Sequence, residues 1–321
     1  MPDYIFKTYI DSGREYYEYT DATDREQTIK KDFPFPESLM ELLYMDTQEL
    51  EAITKKMDKA VLAFYQSGAK DDLQVVAAGL DELASRHVYF ELLRLDWTER
   101  LMAAERVTPK EYLRLLPHKK ISHIYSDIDT MQRQIIGLIA HALDMDGEKK
   151  SVSEKMVAYY NAEGNDTLYT FQFQPQPVNF EVIDRRIFAE VLYPKDIYDL
   201  IDHHIRECVK REVRMRVCKN CLRYFAVTGK ASTEYCDRVC DSKGRTCREI
   251  GAINTWTQRK QGDEVFKEYR REYKKRFARI NAGKLTKRVF YAWSEEARKK
   301  KEDCDNGTIT PEDFSRWLKE S

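Results

Sequence analysis

All seven cysteines of this 321-residue chain lie beyond residue 207, and six of them fall between Cys208 and Cys247. A disulfide framework in a secreted domain would spread its staples along the chain, and an odd number leaves one thiol over. A local metal site is the better reading. Within the cluster, Cys218-Lys-Asn-Cys221 is followed by 14 residues and Cys236, three more and Cys240, then six more and Cys247. Two thiolates at C-x2-C spacing grip one ion from a tight turn, and a second pair further along completes the four soft ligands of a tetrahedral structural Zn2+ site. Cys218, Cys221 and Cys236 enter every pairing, which leaves Cys240 or Cys247 as the fourth ligand. Cys240 would make a compact C-x3-C. Cys247 opens a segment that reads as a helix capped by Thr246, where the positive helix end and the neighbouring Arg245 and Arg248 favour a thiolate. The expected ligands are therefore Cys218, Cys221, Cys236 and Cys247, with Cys240 as a bystander or exchange ligand.

The run Cys-Lys-Asn-Cys-Leu-Arg-Tyr-Phe, with Tyr235-Cys236-Asp-Arg and Thr246-Cys247-Arg-Glu-Ile-Gly-Ala after it, resembles an uncharacterised bacterial family, a domain of unknown function, over roughly residues 195 to 321. More distantly it resembles zinc-knuckle regulators of the CGNR type, which are presumed to bind DNA. The resemblance implies a treble-clef-like knuckle with its ligands at Cys218, Cys221, Cys236 and Cys247. The Cys-Gly-Asn-Arg tetrad itself is absent from this sequence, so the DNA contacts inferred for that type do not transfer.

The formal charge of −1 hides an asymmetry. Residues 206–321 hold 30 Lys and Arg against 18 Asp and Glu, a net of +12, whereas residues 1–205 carry a net of −13. Such a split suggests a basic module that meets a polyanion and an acidic module with another task. It divides the chain into an acidic, mostly helical N-terminal region at 1–205 and a basic zinc-knuckle and helical module at 206–321. Intramolecular attraction between the two halves is the alternative.

With 12 glycines and 9 prolines in a chain that is 42% hydrophobic, helices are favoured over a turn-rich β-sandwich. The fold class expected is mainly α. A Tyr-rich start reads as short paired strands, Pro34 and Pro36 break the chain, and Glu37 to Ser67 reads as one or two helices. Leu73, Val76, Leu80, Leu83, Val88, Leu92 and Leu95 give helical spacing across 71–105, and Ile121 to Ala142 repeats it. Thr108-Pro109-Lys110-Glu111 carries cap, proline and glutamate in the order of a helix start. A small β-hairpin or two edge strands are expected from Thr167 to Phe173 and from Val178 to Ile183, and a helix from Pro194 to Met215.

Beyond the cysteines, Phe266, Tyr269, Tyr273, Phe277 and Ile280 recur at steps of three and four, with cations on the remaining faces, as in an amphipathic basic helix. Gly283-x-Leu-Thr-x3-Phe290-x2-Trp293 and Gly307-x-Ile-Thr-x3-Phe314-x2-Trp317 repeat one pattern. In each, the glycine can end a helix, the threonine can cap the next, and Phe and Trp share a face, so a short helical bundle is expected. Calcium is excluded at the second copy, because alignment on Gly307 places Cys304 where a hard oxygen ligand is needed.

His203-His204-Ile-Arg206 contains the H-x-x-R of tyrosine recombinases, but nothing else of that site accompanies it. Phosphate-binding, dinucleotide-binding, zinc-protease and serine-hydrolase motifs are absent. No enzyme is indicated. The longest apolar run, near Ile135 to Ala140, is too short for a membrane span, and the polar start lacks the apolar core of a secretion signal, so a cytoplasmic protein is expected.

The function expected is that of a zinc-stabilised nucleic-acid-binding protein, a DNA-binding regulator. Arg245, Arg248, Arg259, Lys260 and the helix face of Arg270, Arg271, Lys274, Lys275, Arg276 and Arg279 would contact phosphates. The alternative is a zinc-stabilised protein-interaction adaptor, whose basic face docks an acidic protein or the chain's own N-terminal half without touching nucleic acid.

Overall fold

The computed structural model describes residues 3–22, 24–162, 170–251, 253, 264–305 and 308–321. Two compact units are distinguished: Met1–Cys218 with Leu222–Glu234, and Lys219–Cys221 with Tyr235–Ser321.

In the first unit, β1 (Phe6–Asp11) and β2 (Arg14–Thr20) form a hairpin whose two-residue turn is Ser12-Gly13. Both turn residues have positive φ, 47° and 76°, the conformation that matches the twist of the flanking strands. β3 (Thr28–Pro34) continues the meander. Far along the chain, β4 (Val178–Ile183) and β5 (Ile187–Leu192) form a second hairpin, and β5 pairs with β1 at Thr8–Leu192 and Tyr9–Val191. The result is a five-stranded antiparallel sheet in the order β3-β2-β1-β5-β4.

This sheet corrects the mainly α expectation. The N-terminal tyrosines do pair as strands, six and seven residues long, and with β3 they supply three of the sheet's five strands, with Tyr17 and Tyr19 fully buried. The second strand of the late hairpin is Ile187–Leu192 rather than the stretch before Pro175, whose described residues 170–177 are not strand. Residues 167–169 lie outside the described residues.

Four helices follow, α1 (Glu37–Leu42), α2 (Thr47–Ser67), α3 (Lys70–Arg86) and α4 (Tyr89–Ala104), and β2 meets α1 and α4 where Tyr17 Oη lies 2.7 Å from Ser38 Oγ and Tyr19 Oη donates to the Glu91 carboxylate at 3.1 Å. α2 starts where the Asp46 carboxylate accepts from the Gln48 amide and ends at Gly68, left-handed at φ 64°. Its apolar stripe of Leu50, Ile53, Met57, Val61 and Phe64 is buried. The continuous spacing over 71–105 is broken at His87, whose extended backbone ends α3. Thr108 and Glu111 do form a reciprocal cap, but on a single 3-10 turn that leads into the short α5 (Tyr112–Leu115). α6 (His118–Ser122), α7 (Ile124–Leu138), which runs into a π-helical turn at Ile139–Leu143, α8 (Val152–Ala162) and α9 (Ile197–Lys210) follow. A short antiparallel hairpin follows, β6 (Met215–Val217) with β7 (Tyr224–Ala226).

The second unit holds a helical stretch at 247–251, then α10 (Glu264–Asn281), α11 (Lys287–Asp305) and α12 (Pro311–Glu320). Its core is Phe290, Trp293, Ala297, Phe314 and Leu318, flanked by Tyr269, Tyr273 and Trp317. Gly283 turns the chain after α10 at φ 69°, and the Thr286 and Thr310 hydroxyls accept from the amides of Val289 and Asp313 at 3.4 and 3.2 Å. Gly307 and the side chain of Phe266 lie outside the described residues. The described residues around the cysteines do not carry a treble clef. They form the β6–β7 ladder, an isolated antiparallel bridge between Val239 and Thr246, and the helical stretch at 247–251.

Candidate metal centre and cationic surface

The first pair of cysteines is set by the turn between β6 and β7. The amide of Cys218 donates to the Arg223 carbonyl and that of Leu222 to the Cys218 carbonyl, each at 2.9 Å, while Leu222 is left-handed at φ 59°. The second pair is set by a return of the chain on itself. The Arg248 amide donates to the Cys236 carbonyl at 3.0 Å, and the Cys247 amide to the Arg238 carbonyl at 2.9 Å. Thr246 and Glu249 cap the helical stretch that begins at Cys247: the Thr246 amide donates to the Glu249 carboxylate at 2.8 Å, and its hydroxyl accepts from the Glu249 amide at 3.3 Å.

These constraints bring the sulfurs of Cys218, Cys221, Cys236 and Cys247 within 4.8 Å of one another, a group that could hold a metal ion. Cys218, Cys236 and Cys247 are buried and Cys221 is partly so. Two donors face the sulfurs. Arg238 Nη1 lies 3.9 Å from Cys221 Sγ and 4.0 Å from Cys236 Sγ, and Asn220 Nδ2 lies 3.4 Å from Cys247 Sγ. Cys240 stands apart from the four. It is exposed, with its thiol directed at the Arg245 carbonyl at 3.5 Å and Asn220 Nδ2 at the same distance from its sulfur.

The ten cations expected to meet phosphate are not equivalent. Arg245 is paired with Asp241 at 2.6 Å, Arg248 with Asp237 at 2.7 Å and Lys275 with Glu272 at 3.1 Å. Arg276 lies over the Trp293 ring, 4.5 Å from its centroid, and burial lowers its pKa from the usual arginine value. Arg270, Arg271, Lys274 and Arg279 are exposed on α10. Arg259 and Lys260 lie outside the described residues.

His203 and His204, the histidines of the isolated H-x-x-R, are both buried in the first unit. His204 belongs to a polar cluster that no motif announced. Its Nε2 is 2.8 Å from Tyr17 Oη and 3.2 Å from a Glu15 carboxylate oxygen, and Tyr17 Oη is 2.7 Å from Ser38 Oγ. The other Glu15 oxygen accepts from the Ser38 amide at 2.7 Å, and Ser38 Oγ donates to Tyr89 Oη at 3.2 Å. All five residues are at most 1% exposed, and desolvation pushes the Tyr17 and Tyr89 phenols well above their ordinary value. The signal available was Glu15 and Tyr17 at i and i+2, one face of β2. Desolvation likewise raises the fully buried Cys208 thiol well above the usual range. A cavity of about 890 Å³ also lies in this unit, between α4, α7 and the start of α9, floored by Leu93, Trp97, Ile128 and Met131.

Residues 169–320 match the model of a family of unknown function, DUF6076. The match is to an uncharacterised family and brings no relationship to the CGNR type. No curated protein and no solved structure matches the chain. No helix among the described residues is long and apolar enough to cross a membrane.

Proposed function

We propose that Cys218, Cys221, Cys236 and Cys247 hold a structural Zn2+ and that the second unit is a nucleic-acid-binding module, with DNA as its ligand, acting through the exposed cations of α10. The observation that carries the metal reading is the sulfur geometry. Tetrahedral ligation with Zn–S near 2.3 Å separates sulfurs by about 3.8 Å, and Cys221 and Cys236 lie 3.7 Å apart. Four thiolates on Zn2+ leave a net charge of −2, which Arg238 and the Asn220 amide offset from outside the ligand shell. The ion would close the loop between residues 218 and 247 and fix where the chain leaves it. The proposed role is binding, with no chemical step.

The nucleic-acid reading rests on Arg270, Arg271, Lys274 and Arg279, which present four positive charges on exposed positions of one helix. Its test is fluorescence anisotropy of the zinc-loaded full chain against random duplex DNA, single-stranded DNA and RNA at two salt concentrations. Affinity should fall steeply with salt, and Arg→Glu and Lys→Glu changes at these four positions should flatten the slope by about 0.9 for each duplex phosphate contact removed. Absence of binding at low salt would sink this reading. The adaptor reading is favoured by one observation: Arg245, Arg248 and Lys275 already have carboxylate partners. An acidic protein held by an aromatic-centred surface would show a much shallower salt dependence.

A further inference from the structure

The two edges of the five-stranded sheet are built differently. β3 presents Lys30, Lys31 and Asp32 and ends on Pro34. Edge charges and a missing N–H are the features that keep an exposed strand from pairing with another chain. β4, at the opposite edge, reads Val178-Asn179-Phe180-Glu181-Val182-Ile183 and contains no Lys, Arg or Pro. Among the described residues no strand pairs with its outer side. Its one charge is already offset, because the Glu181 carboxylate accepts from Tyr193 Oη at 2.7 Å and lies 3.7 Å from Lys7 Nζ.

One face of this edge is apolar and wet. Phe180 and Val182 are 64% and 66% exposed, and Phe188 of β5, directly opposite Val182 in the register, is 70% exposed. The Phe180 and Phe188 rings stack with centroids 5.7 Å apart. Three large apolar side chains fixed on a paired hairpin, beside an unguarded strand, suit the addition of another strand.

We propose that β4 pairs antiparallel with β4 of a second copy of this chain, across a two-fold axis at Phe180. In this register Phe180 faces Phe180 of the second copy, Val178 faces its Val182, and Asn179 faces its Glu181. The apolar residues continue one face across the seam, and the Glu181 carboxylate meets a carboxamide able to donate to it. The neighbouring registers are worse. An axis at Glu181 opposes two like charges, and an axis at Asn179 moves Pro177, which has no N–H, from the end of the ladder to a place inside it, opposite Glu181. An axis between two residues joins the apolar face of one copy to the polar face of the other. The partner is a second copy because in this register the strand's one carboxylate meets its own carboxamide and its apolar residues meet one another, and the symmetric contact closes as a dimer.

The test is sedimentation velocity of the full chain over a dilution series, with far-UV circular dichroism to verify the fold of each variant. The wild type should show a concentration-dependent monomer–dimer equilibrium, and Phe180→Lys should raise its dissociation constant about tenfold or more. Position 179 tests the register: Asn179→Glu should weaken the dimer and Asn179→Lys should strengthen it, because each faces Glu181. Both residues are exposed, so these changes leave the core intact. A chain monomeric at every concentration would overturn the proposal. So would a dimer that Phe180→Lys leaves unchanged, or one that the two changes at 179 move in the same direction.

Discussion

Lowering the pH should destabilise the first unit through His87. This residue is 4% exposed where α3 gives way to α4. Its Nε2 donates to the Ser38 carbonyl at 2.8 Å and its Nδ1 accepts from the Tyr89 amide at 3.2 Å, which fixes one neutral tautomer. A proton on Nδ1 would set one N–H against another and leave the Tyr89 amide without an acceptor. Burial lowers the pKa from 6.5 to about 4, with the Ser38 carbonyl opposing the shift and His204 adding to it. Because the folded pKa lies below the unfolded one, the unfolded chain takes up the proton first. The stability at stake is fully present above pH 6.5, is lost progressively as pH falls to about 4, and loses no more below that. Integrating proton uptake between these limits gives a loss of about 2 kcal/mol by about pH 5. His87→Gln keeps a donor and an acceptor but cannot titrate. Urea unfolding of the full chain near pH 7.5 and near pH 5, followed by circular dichroism, should show that the variant loses about 2 kcal/mol less than wild type, whatever its cost at neutral pH. Equal acid losses in the two proteins, or a His87 imidazole resonance titrating near pH 6.5 in the folded chain, would refute the reasoning.

Three further outcomes are expected. Cys247→Ser should lower the zinc retained after gel filtration, whereas Cys240→Ser should leave it unchanged, since the Cys240 sulfur stands outside the group of four; metal analysis of the eluted protein decides between them. Gly251→Ala should destabilise the second unit by about 1–3 kcal/mol in thermal unfolding, because its new Cβ would come within 2.3 Å of carbons in the Tyr235 ring, next to Cys236. Phe314→Ala should cost about 3–5 kcal/mol in urea unfolding, as its ring is fully buried against Phe290 and Trp293.

What could be read in the sequence divides according to how far apart the interacting residues lie along the chain. The cysteine group was legible because its chemistry is local: C-x2-C, a second pair within 30 residues of the first cysteine, and a Thr246–Glu249 cap that places Cys247 at a helix start. The repeated Gly-x-[Leu/Ile]-Thr-x3-Phe-x2-Trp was legible for the same reason, and both of its threonines accept from an amide three residues on. The sheet was not, because its central pairing joins Thr8 to Leu192 and no local pattern records a partner that distant. β5 alternates poorly, as it is covered on both faces at Val191 and Leu192, so a periodicity of two is lost just where the strand is most buried. The break at His87 escapes notice on the same grounds. Nothing in Ser-Arg-His-Val forbids a helix, and at the break the His87 ring is bonded to the Ser38 carbonyl, 49 residues away. The buried cluster extends the point: Glu15 and Tyr17 share a face of β2, yet the residues that make their burial tolerable come from α1, α4 and α9. Polar side chains that look like surface positions one element at a time find their partners only once four elements meet, and such a cluster is bound to be invisible to any reading that proceeds along the chain.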